Sequence, residues 1–219
     1  ACVTITFDDA VPSQIETAAP LMKKYGLTGT YFMMGGWWFM PGNVEKWAAI
    51  YGDGNEIGLH SFGHPCDRAN NGNTNGISAQ DYTLEKISDE LKTQKSNAKL
   101  AGFGDSYTYA YPCGIKWVGE DKKSYIPVVR KLFTAARDLC YDPKEAIADP
   151  VTVDLYQVPS IGTDGKDVQH LTQLVDTAIE KGGWVVFYVH GVGGGWVITG
   201  TQVFEDLLKH IDAKKKDLW

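Results

Sequence analysis

The feature that most constrains this chain is a regular alternation of short apolar runs with longer amphipathic stretches, together with the residues that close the apolar runs. CVTITF (2–7), TGTYFMM (28–34), NEIGLHS (55–61), SYTYAYP (106–112), LFTAAR (132–137), VDLYQVPSI (153–161) and WVVFYVH (184–190) read as strands, being short and rich in β-branched and aromatic residues. Between them, 13–26, 43–52, 78–102, 125–133, 167–183 and 201–216 carry helical periodicity, with Pro20 read as a kink and Gly26 as a stop in the first. About seven strands alternating with helices imply right-handed βαβ units and a parallel sheet. A chain of 219 residues suits one compact unit of α/β-barrel size, or two small ones. Several apolar runs end in polar or reactive residues: Asp8–Asp9, His60, Tyr111–Pro112, Arg137 and His190. In barrels and open α/β sheets, sites are built on that carboxyl edge.

Composition removes several function classes. A net charge of −6 argues against nucleic acid as a partner, because such a surface needs cations to displace condensed counterions. No apolar run approaches the ~20 residues that span a bilayer. The chain opens at Ala1 inside a strand-like run, which is what removal of upstream sequence would leave. Four cysteines, Cys2, Cys66, Cys113 and Cys140, allow three pairings into two disulfides, and the sequence does not choose among them. There is no CxxC pair, which argues against a structural zinc knuckle.

Four local constellations carry chemistry. Thr6-Phe7-Asp8-Asp9 places two carboxylates at a strand end. One reading is capping of the following helix; the other is division of labour, since neighbouring strand residues point to different sides. LHSFGHPC (59–66) puts His60 and His64 four residues apart, as in a zinc-binding helix, but Gly63 and Pro65 are poor helix residues and no HExxH glutamate is present. His60 is therefore read as a strand end, with SFGHP as a turn returning His64 beside it and Ser61 hydrogen-bonding within that turn. With Asp9, the pair supplies two imidazoles and a carboxylate, a donor set that leaves coordination positions open for catalysis. His190 closes a buried run on the same edge, placed to give a proton to a leaving group. YAYPCG (109–114) is a turn whose amides are suited to an oxyanion.

In this order, TFDD, TGTYFM, HSxxHP, a YPxG turn and a strand ending in His resemble the polysaccharide deacetylases of carbohydrate esterase family four, over nearly the whole chain from Val3 to the last helix. The resemblance implies an α/β fold, a distorted (β/α)7 barrel, with one catalytic domain over 1–219. It implies Asp9, His60 and His64 as ligands of a divalent metal, zinc first and cobalt or nickel as substitutes. Asp8 would be the general base, His190 the general acid, and the backbone amide of Cys113 the oxyanion donor. It further implies an acetylated oligo- or polysaccharide as substrate, a secreted or cell-surface location, and a monomer, with no nucleic acid and no membrane span.

The departures are specific. The family's third motif usually reads Arg-x-Pro-Tyr-Gly, whereas here Ala110-Tyr111-Pro112-Cys113-Gly114 lacks both the Arg that orients the base and the Tyr that lines the site. Arg137, ending the next strand, is the candidate to replace that guanidinium; the plainer reading is an ion pair with a nearby surface carboxylate such as Asp138. The fourth motif, which tunes the acid histidine, has no clean match, and Asp138, Asp142 and Asp164 all stay open. TFDDA replaces the commoner TFDDG. Of seven tryptophans, Trp37, Trp38 and Trp196 are expected at the site edge with Tyr111, as platforms for sugar rings, while Trp47 and Trp184 are expected to pack in the core. Whether the acetyl sits on nitrogen (chitin- or peptidoglycan-like) or oxygen (xylan-like) stays open. Rival readings are an amidohydrolase of cyclic ureides or imides, a non-haem iron oxygenase disfavoured by the helix content, and a non-catalytic glycan-binding domain, which would not need both Asp8 and His190.

Overall fold

A computed structural model describes residues 1–35, 42–69 and 76–219. Its strands are β1 (Cys2–Asp8), β2 (Thr30–Met33), β3 (Glu56–Leu59), β4 (Thr108–Ala110), β5 (Trp117–Val118), β6 (Lys123–Ser124), β7 (Ala135–Arg137), β8 (Ile147–Ala148), β9 (Ile161–Gly162), β10 (Trp184–Val189), β11 (Gly191–Val192) and β12 (Ile198–Thr199). The α-helices are α1 (Ala19–Lys24), α2 (Asn43–Gly52), α3 (Leu84–Leu100), α4 (Ile126–Leu132), α5 (Val168–Lys181) and α6 (Thr201–Ala213).

The main sheet runs β7-β4-β3-β2-β1-β10, with every neighbouring pair on this path parallel. The segment 155–162 closes the ring. Val158 bridges Arg137 in parallel, and Ile161–Gly162 of β9 pairs with Phe187–Tyr188 of β10. With that segment the ring holds the seven strands read from the sequence, the distorted (β/α)7 barrel that was expected. Closure removes exposed edges at this point; at the outer end of β10 the short β8 runs antiparallel beside Trp184–Val185.

Period-2 alternation then decides where chemistry can occur. Ile5 and Phe7 of β1, Ile57 and Leu59 of β3, and Val185, Phe187 and Val189 of β10 are buried in the hydrophobic core, with Leu171 and Val175 of α5 and Phe204 and Leu207 of α6. The intervening residues Thr4, Thr6, Thr30, Thr108, Val186 and Trp184 line the interior of the ring. Trp184 is thus a lumen residue rather than a member of the core cluster, its indole N–H donating to Thr4 Oγ1 at 2.9 Å. Trp47, as expected, is fully buried in the core. Continuing the inner register past the last lumen threonines brings Asp8, His60 and His190 to the mouth of the ring.

The expected helices form, with two adjustments. Residues Gln14–Ala18 wind as a π-helical turn that runs directly into α1, with Ala18 and Ala19 both in the right-handed helical region and Ala19 N bonded to Gln14 O, so the irregularity expected at Pro20 takes the form of a π turn ending just before it inside one continuous helical stretch. The stretch from 78 begins as a 3₁₀ turn, and α3 starts only after Thr83, whose side chain accepts Lys86 N. The two-residue ladders β5–β6 and β11–β12 carry no periodicity and were not read.

Candidate active site

Asp8 ends β1 on the inner face and is 2% exposed. A carboxylate so placed needs a partner, and Arg137, 4% exposed at the end of β7, supplies it through Nη2 donating to Oδ2 at 2.5 Å. The guanidinium is fixed from its other sides. Nη1 donates to Ser160 Oγ at 2.8 Å, Ser160 Oγ donates to the Asp138 carbonyl at 2.6 Å, and the rings of Phe32 and Tyr188 lie 5.4 and 5.2 Å from Cζ. Burial alone would push the Asp8 carboxyl up, but the charge of Arg137, joined by His60, His190 and the Arg137 hydrogen bond, holds it below the usual carboxylate range. Asp8 is thus a buried, ionised carboxylate, with Oδ1 accepting no hydrogen bond. Arg137 does not bridge Asp138, which instead pairs with Lys116 and caps Leu139 N.

One residue later the backbone turns sharply, with φ +69° at Asp9 and +54° at Ala10. That turn takes Asp9 off the strand and sets it against the HSFGHP loop. Asp9 Oδ1 lies 3.6 Å from His60 Nε2 and 3.5 Å from His64 Nε2, and the two imidazole centroids are 4.8 Å apart. The return of His64 beside His60 is therefore as the sequence suggested. Only a donor can face a carbonyl, so His60 Nδ1, 2.8 Å from Ala110 O, carries the proton and leaves Nε2 as a lone-pair donor. His64 is held well below the ordinary imidazole range, by burial first and by its neighbour His60 next.

These atoms fit a divalent ion. Asp9 Oδ1 is buried with no hydrogen-bond partner, and the three donor atoms all lie within 4.8 Å of one another. Tetrahedral ligation with bonds of about 2.1 Å separates donors by about 3.4 Å, close to the two Asp9–His separations. Two neutral imidazoles and a carboxylate suit zinc, and equally cobalt or nickel. His64, Cys66 and Cys113 also cluster, but the two cysteines are joined in a disulfide and offer no thiolate.

A residue the sequence reading missed holds the turn. Glu90 on α3 accepts Ser61 Oγ at 2.5 Å, Phe62 N at 2.8 Å and Gly63 N at 3.2 Å through Oε1, and the Tyr82 hydroxyl at 2.6 Å through Oε2. His64 N donates to Ser61 Oγ at 3.2 Å, the internal bond expected of Ser61. Position 63 tolerates no side chain, since a Cβ there would meet Tyr82 Oη at 2.3 Å. Glu90 sits within a helix that reads as an ordinary solvated face, and only its inward step at the loop distinguishes it.

On the strand neighbouring β1, His190 follows β10 with Nε2 3.7 Å from Asp9 Oδ2 and Nδ1 buried without a partner. None of Asp138, Asp142 or Asp164 contacts its ring among the described residues. Gln14, in the π-helical turn and fully buried, clamps the ends of these two neighbouring strands: Nε2 donates to Asp8 O at 2.6 Å and His190 O at 3.0 Å. Wide π turns recur at functional sites, and here one delivers a clamp. The sequence offers no signal for it.

The turn after β4 carries Cys113 at φ +52°. Cys66, two residues beyond His64, is disulfide-bonded to Cys113, which ties the ligand loop to the turn proposed for the oxyanion. Cys2 and Cys140 are free. Asp8, His60, His64, Tyr111, Cys113, Leu139, Tyr141, Tyr188 and His190 line one cleft of about 190 Å³, room for an acetyl group and part of a sugar. Tyr141, 81% exposed at its rim, was not anticipated. Tyr111 is 1% exposed, so it offers wall rather than a stacking platform, because its ring packs against Tyr109 and Tyr125. Trp196 is at the site as expected, with its indole N–H on Asp9 Oδ2. Trp37 and Trp38 lie outside the described residues.

Residues 1–123 match a family model described as polysaccharide deacetylase. No curated protein matches the sequence. Among solved structures, a family 4 carbohydrate esterase from Streptomyces lividans in complex with acetate is similar at 16% identity and TM-score 0.62, over 99% of this chain and 90% of that one. The Xyl-CE4 domain of a multidomain xylanase from the hindgut metagenome of Trinervitermes trinervoides gives 14% identity and TM-score 0.59, over 97% of this chain and 83% of that one. A CE4 family pseudoenzyme from Bacillus anthracis gives 16% and 0.61, over 98% of this chain and 60% of that one.

Proposed function

The chain belongs to the polysaccharide deacetylase family, and from that premise we propose that it is a metal-dependent hydrolase removing acetyl groups from a carbohydrate. The observation that carries this reading is the pairing of a buried, ionised Asp8 with the Asp9–His60–His64 donor set at one mouth of the ring. A pseudoenzyme relative shows that the fold does not guarantee activity; the presence here of both carboxylates and all three histidines favours turnover.

Asp9, His60 and His64 would hold the ion, which when bound lowers the pKa of coordinated water towards ~7 and polarises the acyl carbonyl. Asp8, its Oδ1 free of hydrogen bonds, would take the proton from the attacking water. Arg137 would keep that carboxylate ionised and pointed by holding Oδ2, supplying from β7 the guanidinium absent from the turn after β4. The Cys113 amide would receive the developing oxyanion, and His190 would protonate the departing amine or alkoxide from the end of β10. Tyr188, Leu139 and Tyr141 would bound the acyl and sugar positions. The Cys66–Cys113 disulfide favours an oxidising compartment, consistent with a secreted or cell-surface enzyme.

Incubation of zinc-loaded protein with chitin oligomers, acetylated xylan and a cyclic ureide, with and without chelator, tests the reading. Chelator-sensitive acetate release is expected, and which glycan yields it separates N- from O-deacetylation. Ring opening without acetate would assign the site to the amidohydrolase reading instead.

A further inference from the structure

Trp196 is placed by a loop built for close approach. Between β11 and β12, Gly191 N donates to Trp196 O at 3.2 Å and Gly193 N to Thr199 O at 2.9 Å, folding the loop on itself. Ser13 pins it from below, accepting Val192 N at 3.1 Å and donating to Gly194 O at 2.8 Å. At Gly195, φ is +93° and a Cβ would meet Val11 Cγ1 at 2.4 Å, so only glycine lets the next residue reach inward. The result is an indole, 45% exposed on its outer side, whose Nε1–H donates to Asp9 Oδ2 at 3.1 Å.

The two oxygens of Asp9 therefore differ. Oδ1 is buried, unbonded and lies 3.6 and 3.5 Å from Nε2 of His60 and His64, while Oδ2 accepts the indole proton at 3.1 Å and has His190 Nε2 at 3.7 Å. We infer that Trp196 is a positioning residue for the ion site: by occupying Oδ2 it fixes the Asp9 rotamer and leaves Oδ1 as the single ligand oxygen. This rests on the ion reading above and assigns Trp196 a task other than sugar stacking. Partners that orient metal ligands in this way change affinity by about 10- to 100-fold when removed.

Trp196→Phe keeps the ring and deletes the donor. Zinc affinity of this variant, measured by competition with a chromophoric chelator, is expected to fall by about 10- to 100-fold, and the visible absorption bands of its cobalt form should shift as Asp9 becomes free to bind through both oxygens. Ser13→Ala, which loosens the loop and leaves every ligand in place, should move affinity the same way by a smaller factor and serves if Trp196→Phe does not fold. Zinc affinity within twofold of wild type and an unchanged cobalt spectrum in both variants overturn the inference. Wild-type protein that takes up no zinc removes the ion reading itself, and this inference with it.

Discussion

The two halves of the molecule contribute to the cleft in different ways. Residues 1–123, which match the family model, bring Asp8, Asp9, His60, His64 and Cys113 on β1, the turn after β3 and the turn after β4. Beyond residue 123, Arg137, Ser160, His190 and Trp196 come from β7, the closing segment, the end of β10 and the β11–β12 loop. The first group is held by devices drawn from its own half: a reversed backbone after β1, a glutamate on α3 that accepts from a turn, and the Cys66–Cys113 disulfide. The second group is held by ring closure, because the inner faces of all the strands converge on one lumen. A guanidinium missing from one strand end can then be supplied from the next, as Arg137 does for Asp8.

The largest effects should separate the two carboxylates of the first half. Asp9→Ala is expected to abolish both zinc uptake and acetate release. Asp8→Asn should retain zinc while kcat falls by about 10²–10⁴-fold, the range of a positioned base. Full turnover in Asp8→Asn would show that the base lies elsewhere.

Arg137→Met tests whether the second half truly supports the first. Removing one member of a buried ion pair leaves the other uncompensated and should cost about 3–5 kcal/mol in denaturant unfolding at neutral pH. The sign with pH follows from the lowered carboxyl of Asp8. The unfolded chain takes up this proton first, near pH 4. The pair's contribution is thus whole above that pH and is lost as pH falls on through the lower folded value. In Arg137→Met the buried carboxyl loses the charge that offset burial, so it should titrate higher and the acid loss of stability should begin at higher pH. Wild-type stability and an unchanged acid limb would mean that Arg137 is a bystander.

The disulfide and Glu90 probe the first half's own devices with smaller changes. Cys66→Ala closes no 47-residue loop between 66 and 113 and should lower stability by about 2–4 kcal/mol, with kcat falling more than zinc affinity if the bond positions the Cys113 amide. Glu90→Leu strands the Ser61 hydroxyl and the amides of Phe62 and Gly63. A loss of about 1–3 kcal/mol is expected, with weaker zinc binding through His64. An unaltered affinity in Glu90→Leu would show the turn to be self-supporting.

The alternation of runs was enough to read about seven strands in a parallel α/β sheet, and turn chemistry to return His64 beside His60, because strand period and turn chemistry are local properties; the barrel class and the joining of Asp9 to the two histidines as ligands came with the resemblance of the motifs to a known family. Arg137 and its partner Asp8, 129 residues away, were legible only through what the turn at 110–114 lacks, because the resemblance asks for a guanidinium on the base and Arg137 ends the next strand. Gln14, Glu90, the pairing of Cys66 with Cys113 and the indole on Asp9 left no local trace, since each depends on which strands and loops face one another once the ring closes. Sequence by itself therefore determined which chemistries end on the carboxyl edge. Only the tertiary structure decided which oxygen of each carboxylate is held and which is left free, because that choice is made by groups that the chain brings together across the lumen.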